Sequence, residues 1–115
     1  MKVDVIRDNI SFRKMKNSWD RIYSLGSYSI FQSFSYNYYA WKYILSSSIN
    51  NQLFIVVVSD RSKIIAILPF YKDSYNTIRF INDIHSDFCD IICRDYFDIN
   101  ILFKKLGIEK YSLMN

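Results

Sequence analysis

The sequence predicts a single three-layer α/β (α+β) domain, with a mainly antiparallel mixed sheet flanked by helices. Three observations carry this. Residues 53–58 and 63–71 are apolar at almost every position and rich in β-branched side chains, without the alternation of a half-exposed strand. The polar stretch Ser59-Asp60-Arg61-Ser62 between them makes the pair a hairpin whose strands are both buried on two faces. Segments with helical spacing stand before and after it, and a chain of 115 residues has room for one domain, spanning 1–115.

Taken in order, Val3, Val5 and Ile6 suggest a short opening strand. Phe12, Met15, Trp19, Ile22 and Tyr23 recur at helical spacing, which predicts a helix over 12–25 with Ser11 as N-cap and Gly26 as a left-handed C-cap. Residues 27–33 read as a loop. A second helix is expected over 34–45, with Tyr38, Trp41 and Leu45 on one face and Tyr36, Tyr39, Tyr43 and Ile44 widening it. Pro69 cannot donate to a ladder, so it belongs at an edge, a bulge or the strand end. Residues 77–81 alternate, with Ile78 and Phe80 on one face, and 89–93 is another short strand candidate. Residues 96–106 form a helical pattern with Phe97, Ile101 and Leu102 inward, capped by Gly107. Residues 111–115 resemble the start of a further strand, so the chain reads as a fragment, incomplete at its C-terminus.

Composition excludes several classes of function. Half of the residues are hydrophobic, which rules out global disorder. No apolar run approaches the ~20 residues of a membrane span, and the acids near the start are wrong for a signal peptide. With only two cysteines a disulfide framework is absent, and the expectation is a cytoplasmic protein. The net charge of +4 is too small to argue for nucleic acid, and no zinc-finger or RNP-type motif accompanies the basic residues Arg13, Lys14, Lys16 and Arg21. Two glycines, Gly26 and Gly107, cannot make a Gly-rich phosphate loop. The many Tyr, Phe, Ile, Lys and Asn residues fit AT-biased coding.

Four constellations could carry chemistry. His85, Cys89 and Cys93 are metal-ligand types, but cysteines four apart on a strand lie about 13 Å from each other, too far for one zinc ion or a disulfide. His85-Ser86-Asp87 cannot act as a hydrolytic triad, because adjacent side chains diverge. The basic face of the first helix reads as a solvated surface. Asp83, Asp87 and Asp90 form a carboxylate cluster that would attract an amine or serve as a general base, against the plainer reading of a solvated acidic loop.

The order of the motifs is more informative than any one of them. Phe12-x2-Met15-x3-Trp19 is similar to an opening helix with its tryptophan. Phe31-Gln32-Ser33-Phe34-Ser35-Tyr36 followed by Ala40-Trp41 is similar to a loop-to-helix signature. The strand ending Leu68-Pro69-Phe70-Tyr71, then Ile78-Arg79-Phe80-Ile81, then His85-Ser86-Asp87-Phe88-Cys89-Asp90 complete the series. In this order the chain resembles the N-terminal half of the CelD-like and FemAB-like acyltransferases of the GNAT (acyl-CoA N-acyltransferase) superfamily. The resemblance implies a GNAT-like domain and an enzyme that moves an acyl group from an acyl-CoA thioester to an amine acceptor, on a sugar or cell-envelope precursor. It implies acyl-CoA as co-substrate of the full-length enzyme. The pyrophosphate loop would lie in a C-terminal half that this chain lacks, so the chain alone would bind no cofactor and be inactive. No metal, nucleic acid or membrane span is expected. Asp87 and His85 are the catalytic candidates, and Gln32 and Asp90 the substrate-binding ones. The alternative is a non-catalytic interaction module, docking through its aromatic and basic first-helix face, or a decayed gene product.

Overall fold

Two long strands joined by a two-residue turn form the centre of the molecule. The structure is a computed structural model that describes residues 1–81, 92–93, 99–109 and 111–112. Strand β2 (Gln52–Asp60) pairs antiparallel with β3 (Lys63–Lys72). Arg61 and Ser62 connect them with φ of 52° and 66°, the pattern of a type I′ turn. Neither residue is glycine, so the turn carries backbone strain. Between Val58–Ala66 and Ser59–Ile64 the register shifts, leaving Ile65 as a bulge. The bulge moves Ile64 to one face of the sheet while Ile65 and Ala66 stay with the other.

Among the described residues the sheet has six strands. β1 (Lys2–Ile6) lies antiparallel beside β2, and β4 (Ile78–Phe80) and β5 (Ile92–Cys93) both pair antiparallel with β3. β6 (Tyr111–Ser112) pairs parallel with β4, which makes the sheet mixed, as expected. β4 takes Phe70–Lys72 of β3 and β5 takes Ala66 and Ile67. Among the described residues, Leu68 and Pro69 lie between these two pairings, and Pro69 stands opposite Ile55 of β2.

Both faces of the hairpin are covered, as its lack of alternation predicts. On one face Leu53, Ile55, Val57, Ile67 and Tyr71 pack against helices α1 (Asn9–Lys14), α2 (Lys16–Ser24) and α3 (Phe34–Tyr43). On the other, Phe54, Val56, Val58, Leu68 and Phe70 join Ile78, Phe80 and helix α4 (Ile99–Leu106). The fold is therefore α+β, with a mainly antiparallel sheet between helices. Among the described residues no helix is long and apolar enough to cross a membrane.

Several local expectations need correction. The first helix begins at Asn9, three residues earlier than a Ser11 N-cap predicts. Asp8 is its N-cap, accepting hydrogen bonds from the Ser11 backbone N–H at 2.7 Å and the Ser11 hydroxyl at 2.9 Å. The helix is also broken at Met15, whose N–H turns back to the Phe12 carbonyl, so 12–25 is two helices. The apolar stripe survives the break, with Phe12, Trp19 and Ile22 fully inside. Gly26 is not left-handed. Leu25 ends α2 in the right-handed region, and a Cβ at Gly26 would meet the Tyr28 ring at 2.5 Å, so a side chain there would have to displace that ring.

α3 ends at Tyr43 and is followed by one turn of 3-10 helix at Leu45–Ser47. Phe34, Asn37, Ala40 and Trp41 face inward, while Tyr39 and Tyr43 are 54% and 65% exposed and Ile44 also faces solvent. Their aromatic content suggested a wide buried face; the inner side is instead narrowed by small Ala40 and by Asn37. In α4, Ile101 is 62% exposed and Leu102 and Phe103 are inward, with the Phe103 ring 5.9 Å from Phe70. Phe97 lies outside the described residues. Gly107 does cap α4 at φ 71°, with Gly107 N–H bonded to the Lys104 carbonyl and Ile108 N–H to that of Phe103, a Schellman closure.

Replacing Arg61-Ser62 by Asn-Gly, which adopts positive φ readily, is expected to raise unfolding stability by roughly 1–2 kcal/mol. Urea titration of the two proteins checks this.

Candidate functional site

The loop-to-helix segment around Gln32 combines a candidate residue with a surface recess. Its position is set by aromatic packing. The Phe12 ring stacks on Trp19 at 5.8 Å and meets Phe34 edge-on at 5.6 Å, and Trp19 meets Phe34 edge-on at 5.7 Å. The Trp19 indole N–H then donates to the Gln32 carbonyl at 2.9 Å. At the other end of the cluster, Trp41 Nε1 donates to Asn9 Oδ1 at 2.6 Å, joining α3 to α1.

Gln32 is 7% exposed and its side chain is committed inward. Its Oε1 accepts the Ser29 backbone N–H at 2.9 Å, closing the turn of 3-10 helix at Ile30–Gln32. Asn37, also inside, donates its amide to the Phe31 carbonyl at 3.1 Å and the Ser33 carbonyl at 2.8 Å. The Ser33 hydroxyl accepts the Tyr36 N–H at 3.2 Å and caps α3. The polar side chains of this signature thus bind backbone, which holds the loop in one shape.

Beside this loop, on the outer side of α3, lies an open groove of about 480 Å³ lined by Ile30, Ser33, Tyr36, Tyr39 and Tyr43 among others. Its lining holds no charged side chain. It suits an apolar or aromatic group and offers no base. The sequence reading missed it by assigning Tyr39, Tyr43 and Ile44 to the core; their spacing of one helical turn, away from Trp41, was the available signal.

His85, Asp87 and Asp90 lie outside the described residues, as do Asp83 and Cys89. The nearest described residues on either side of them, Ile81 and Ile92, are both fully buried. Cys93 sits half-buried on β5, and its carbonyl accepts the Tyr28 hydroxyl at 2.8 Å. Among the described residues no group of three or more His, Cys, Asp or Glu side chains could hold a metal ion.

Among the described residues, a polar cluster lies across the β3–β4 turn. The Asp73 carboxylate accepts Arg79 Nε at 2.7 Å and the backbone N–H groups of Tyr75 and Thr77 at 2.9 and 3.0 Å. Burial pushes the Asp73 pKa up, but the bonds from Arg79, Thr77 and Tyr75, with the Arg79 charge, outweigh it and hold the carboxyl below its ordinary 3.8. Asn76 completes the turn at φ 60°. This cluster fixes a turn, with both Asp73 carboxylate oxygens bonded within it.

On the outer surface of α1 and α2 the basic residues are exposed, and Lys16 pairs with Asp20. Phe12 and Trp19 are buried beneath them, so that face is basic without being aromatic.

Comparison with known proteins finds no matching family model, no matching curated protein and no matching solved structure.

Gln32→Ala removes a buried acceptor and leaves the Ser29 N–H unsatisfied, so it is expected to lower stability by roughly 1–3 kcal/mol in chemical unfolding. Asp73 gives a pH effect of defined sign. Its folded pKa is depressed, so its stabilisation is present above the unfolded value and is lost as pH falls below 3.8 towards the folded value. The melting temperature is expected to drop across that acid range, and less steeply in Asp73→Asn.

Proposed function

We propose that the chain is the N-terminal half of a CelD-like or FemAB-like N-acyltransferase of the GNAT superfamily, and that this half presents the amine acceptor. The observation that supports this reading is the order in which the motif pieces sit on the fold. The Trp19 helix, the Phe31–Tyr36 loop entering α3, the hairpin strand ending Leu68-Pro69-Phe70-Tyr71 and strand β4 occur in sequence around one mainly antiparallel sheet with helices on both faces. The tryptophan and the loop-to-helix piece also touch, through the bond from Trp19 to Gln32.

In this reading the reaction joins the nitrogen of an amine to the acyl carbon of a thioester, with the CoA thiolate leaving. The amine must first lose its proton, since only the free lone pair attacks. Asp87 is the proposed substrate-facing carboxylate, with His85 beside it and Asp90 near the acceptor. Gln32 shapes the loop rather than touching substrate. Acyl-CoA would be held by the other half through a Gly-rich loop at a helix N-terminus.

A second reading, a non-catalytic interaction module, is favoured by one observation, the exposed tyrosine-lined groove on α3. It replaces the first-helix face in that role, because the aromatic residues of that face are buried.

Calorimetric titration of the 115-residue chain separates the two readings. The acyltransferase reading expects no saturable isotherm with acetyl-CoA at micromolar concentrations, saturable binding of an amine such as glucosamine or spermidine, and loss of that binding in Asp87→Asn. Saturable acetyl-CoA binding, or indifference to every amine, would count against it.

A further inference from the structure

β1 forms one margin of the sheet. Among the described residues it pairs with β2 alone, so half of its backbone N–H and C=O groups point away from any strand. Such an edge is a template for another strand unless something blocks it. A charge directly facing an incoming strand is the usual block, and β1 carries two, Lys2 and Asp4, of opposite sign. They project from the same face of the strand, 3.9 Å apart, with side chains 76% and 56% exposed. Val3 and Val5, on the alternate positions, pack against the core on the α4 side.

The sign pattern decides what fits. A second copy can continue the sheet antiparallel about a twofold axis centred on one residue of β1. Centred on Asp4, the register overlaps the most residues but sets Asp4 against Asp4 of the second copy. Centred on Val5, it sets Asp4 against Ile6 and leaves Lys2 without an acid on the strand. Centred on Val3, it sets Lys2 opposite Asp4 on both sides of the axis. The four side chains then form a square in which every neighbour has opposite charge, since Lys2 and Asp4 already pair within each strand. Val3 faces its own copy across the axis.

The geometry points to a homodimer in which β1 pairs with β1 of a second copy in the Val3-centred register, making one continuous sheet across two molecules. This docking surface is independent of the acyltransferase reading and of the groove on α3. The Lys2 and Asp4 side chains act as register keys, rejecting the more extensive but like-charged pairing.

Charge exchange tests it, read by sedimentation velocity of the full chain across a concentration series. Lys2→Asp alone and Asp4→Lys alone each place like charges opposite one another on both sides of the axis, and each is expected to weaken dimerisation by about tenfold or more. An equimolar mixture of the two single variants is expected to recover it as a heterodimer. The double exchange, Lys2→Asp with Asp4→Lys, is expected to dimerise like the parent. Because both side chains are exposed, thermal melts at dilutions where the parent is monomeric should be unchanged. As a readout without substitution, amide exchange of residues 2–6 in the parent should slow as concentration rises. A parent that stays monomeric, a dimer indifferent to the single reversals, a mixture that fails to recover, or exchange in β1 independent of concentration would each overturn the proposal.

Discussion

Everything else in the molecule is arranged around the double-sided burial of the β2–β3 hairpin. Two strands with apolar side chains on both faces cannot remain in water. Each fully buried Val, Ile or Leu contributes roughly 1.5–3 kcal/mol when its faces are covered, and that requires a helical layer on each side. The chain before the hairpin supplies α1 to α3 and the chain after it supplies α4. The Ile65 bulge adjusts the register so that Ile64 faces one layer and Ile65 the other. Outer strands then attach where the hairpin leaves backbone groups available, β1 along β2, and β4 and β5 in turn along β3.

This constraint explains where the aromatic residues went. Phe12, Trp19, Phe34 and Tyr38 close over the helical side of the hairpin, with Phe34 and Tyr38 stacked at 5.3 Å and Phe12 edge-on to Tyr38 at 5.2 Å. The two indoles, each needing an acceptor once buried, found the Gln32 carbonyl and the Asn9 side chain. A core made this way also rigidifies the loop before α3. A glutamine that looks like a ligand-binding residue in the sequence is, in the fold, a fastener for the Ser29–Gln32 turn.

How much of this the sequence revealed depended on whether burial or local geometry decided the outcome. The hairpin strands, Ile78 and Phe80, the Trp19 stripe and the Gly107 cap were legible, because hydrophobic period and the left-handed preference of glycine act locally. Asp8 and Ser11 are both good caps, and the apolar spacing does not choose between them. The Met15 break was not legible at all, since Met is a good helix former. Tyr39 and Tyr43 were misassigned because aromatic character does not say which side of α3 meets the sheet. Gln32 stood out in the sequence, but its bond to a backbone N–H three residues away did not. His85, Asp87 and Asp90 lie outside the described residues, and their proposed roles rest on sequence order and chemistry.

The two-residue connection at Arg61-Ser62 has a kinetic consequence as well. Because it brings β2 and β3 together with almost no chain to close, the largest pairing in the sheet is also the most local one, of the kind that hairpins complete in microseconds. The β1–β2 pairing must instead wait for the whole helical region to be looped between Ile6 and its partner Ile55, and the hydrogen bond from Tyr28 to Cys93 spans 65 positions. Loop entropy therefore orders assembly from the middle of the chain outward. The hairpin is the natural nucleus, and the margins of the sheet are the last parts to form and the first to open.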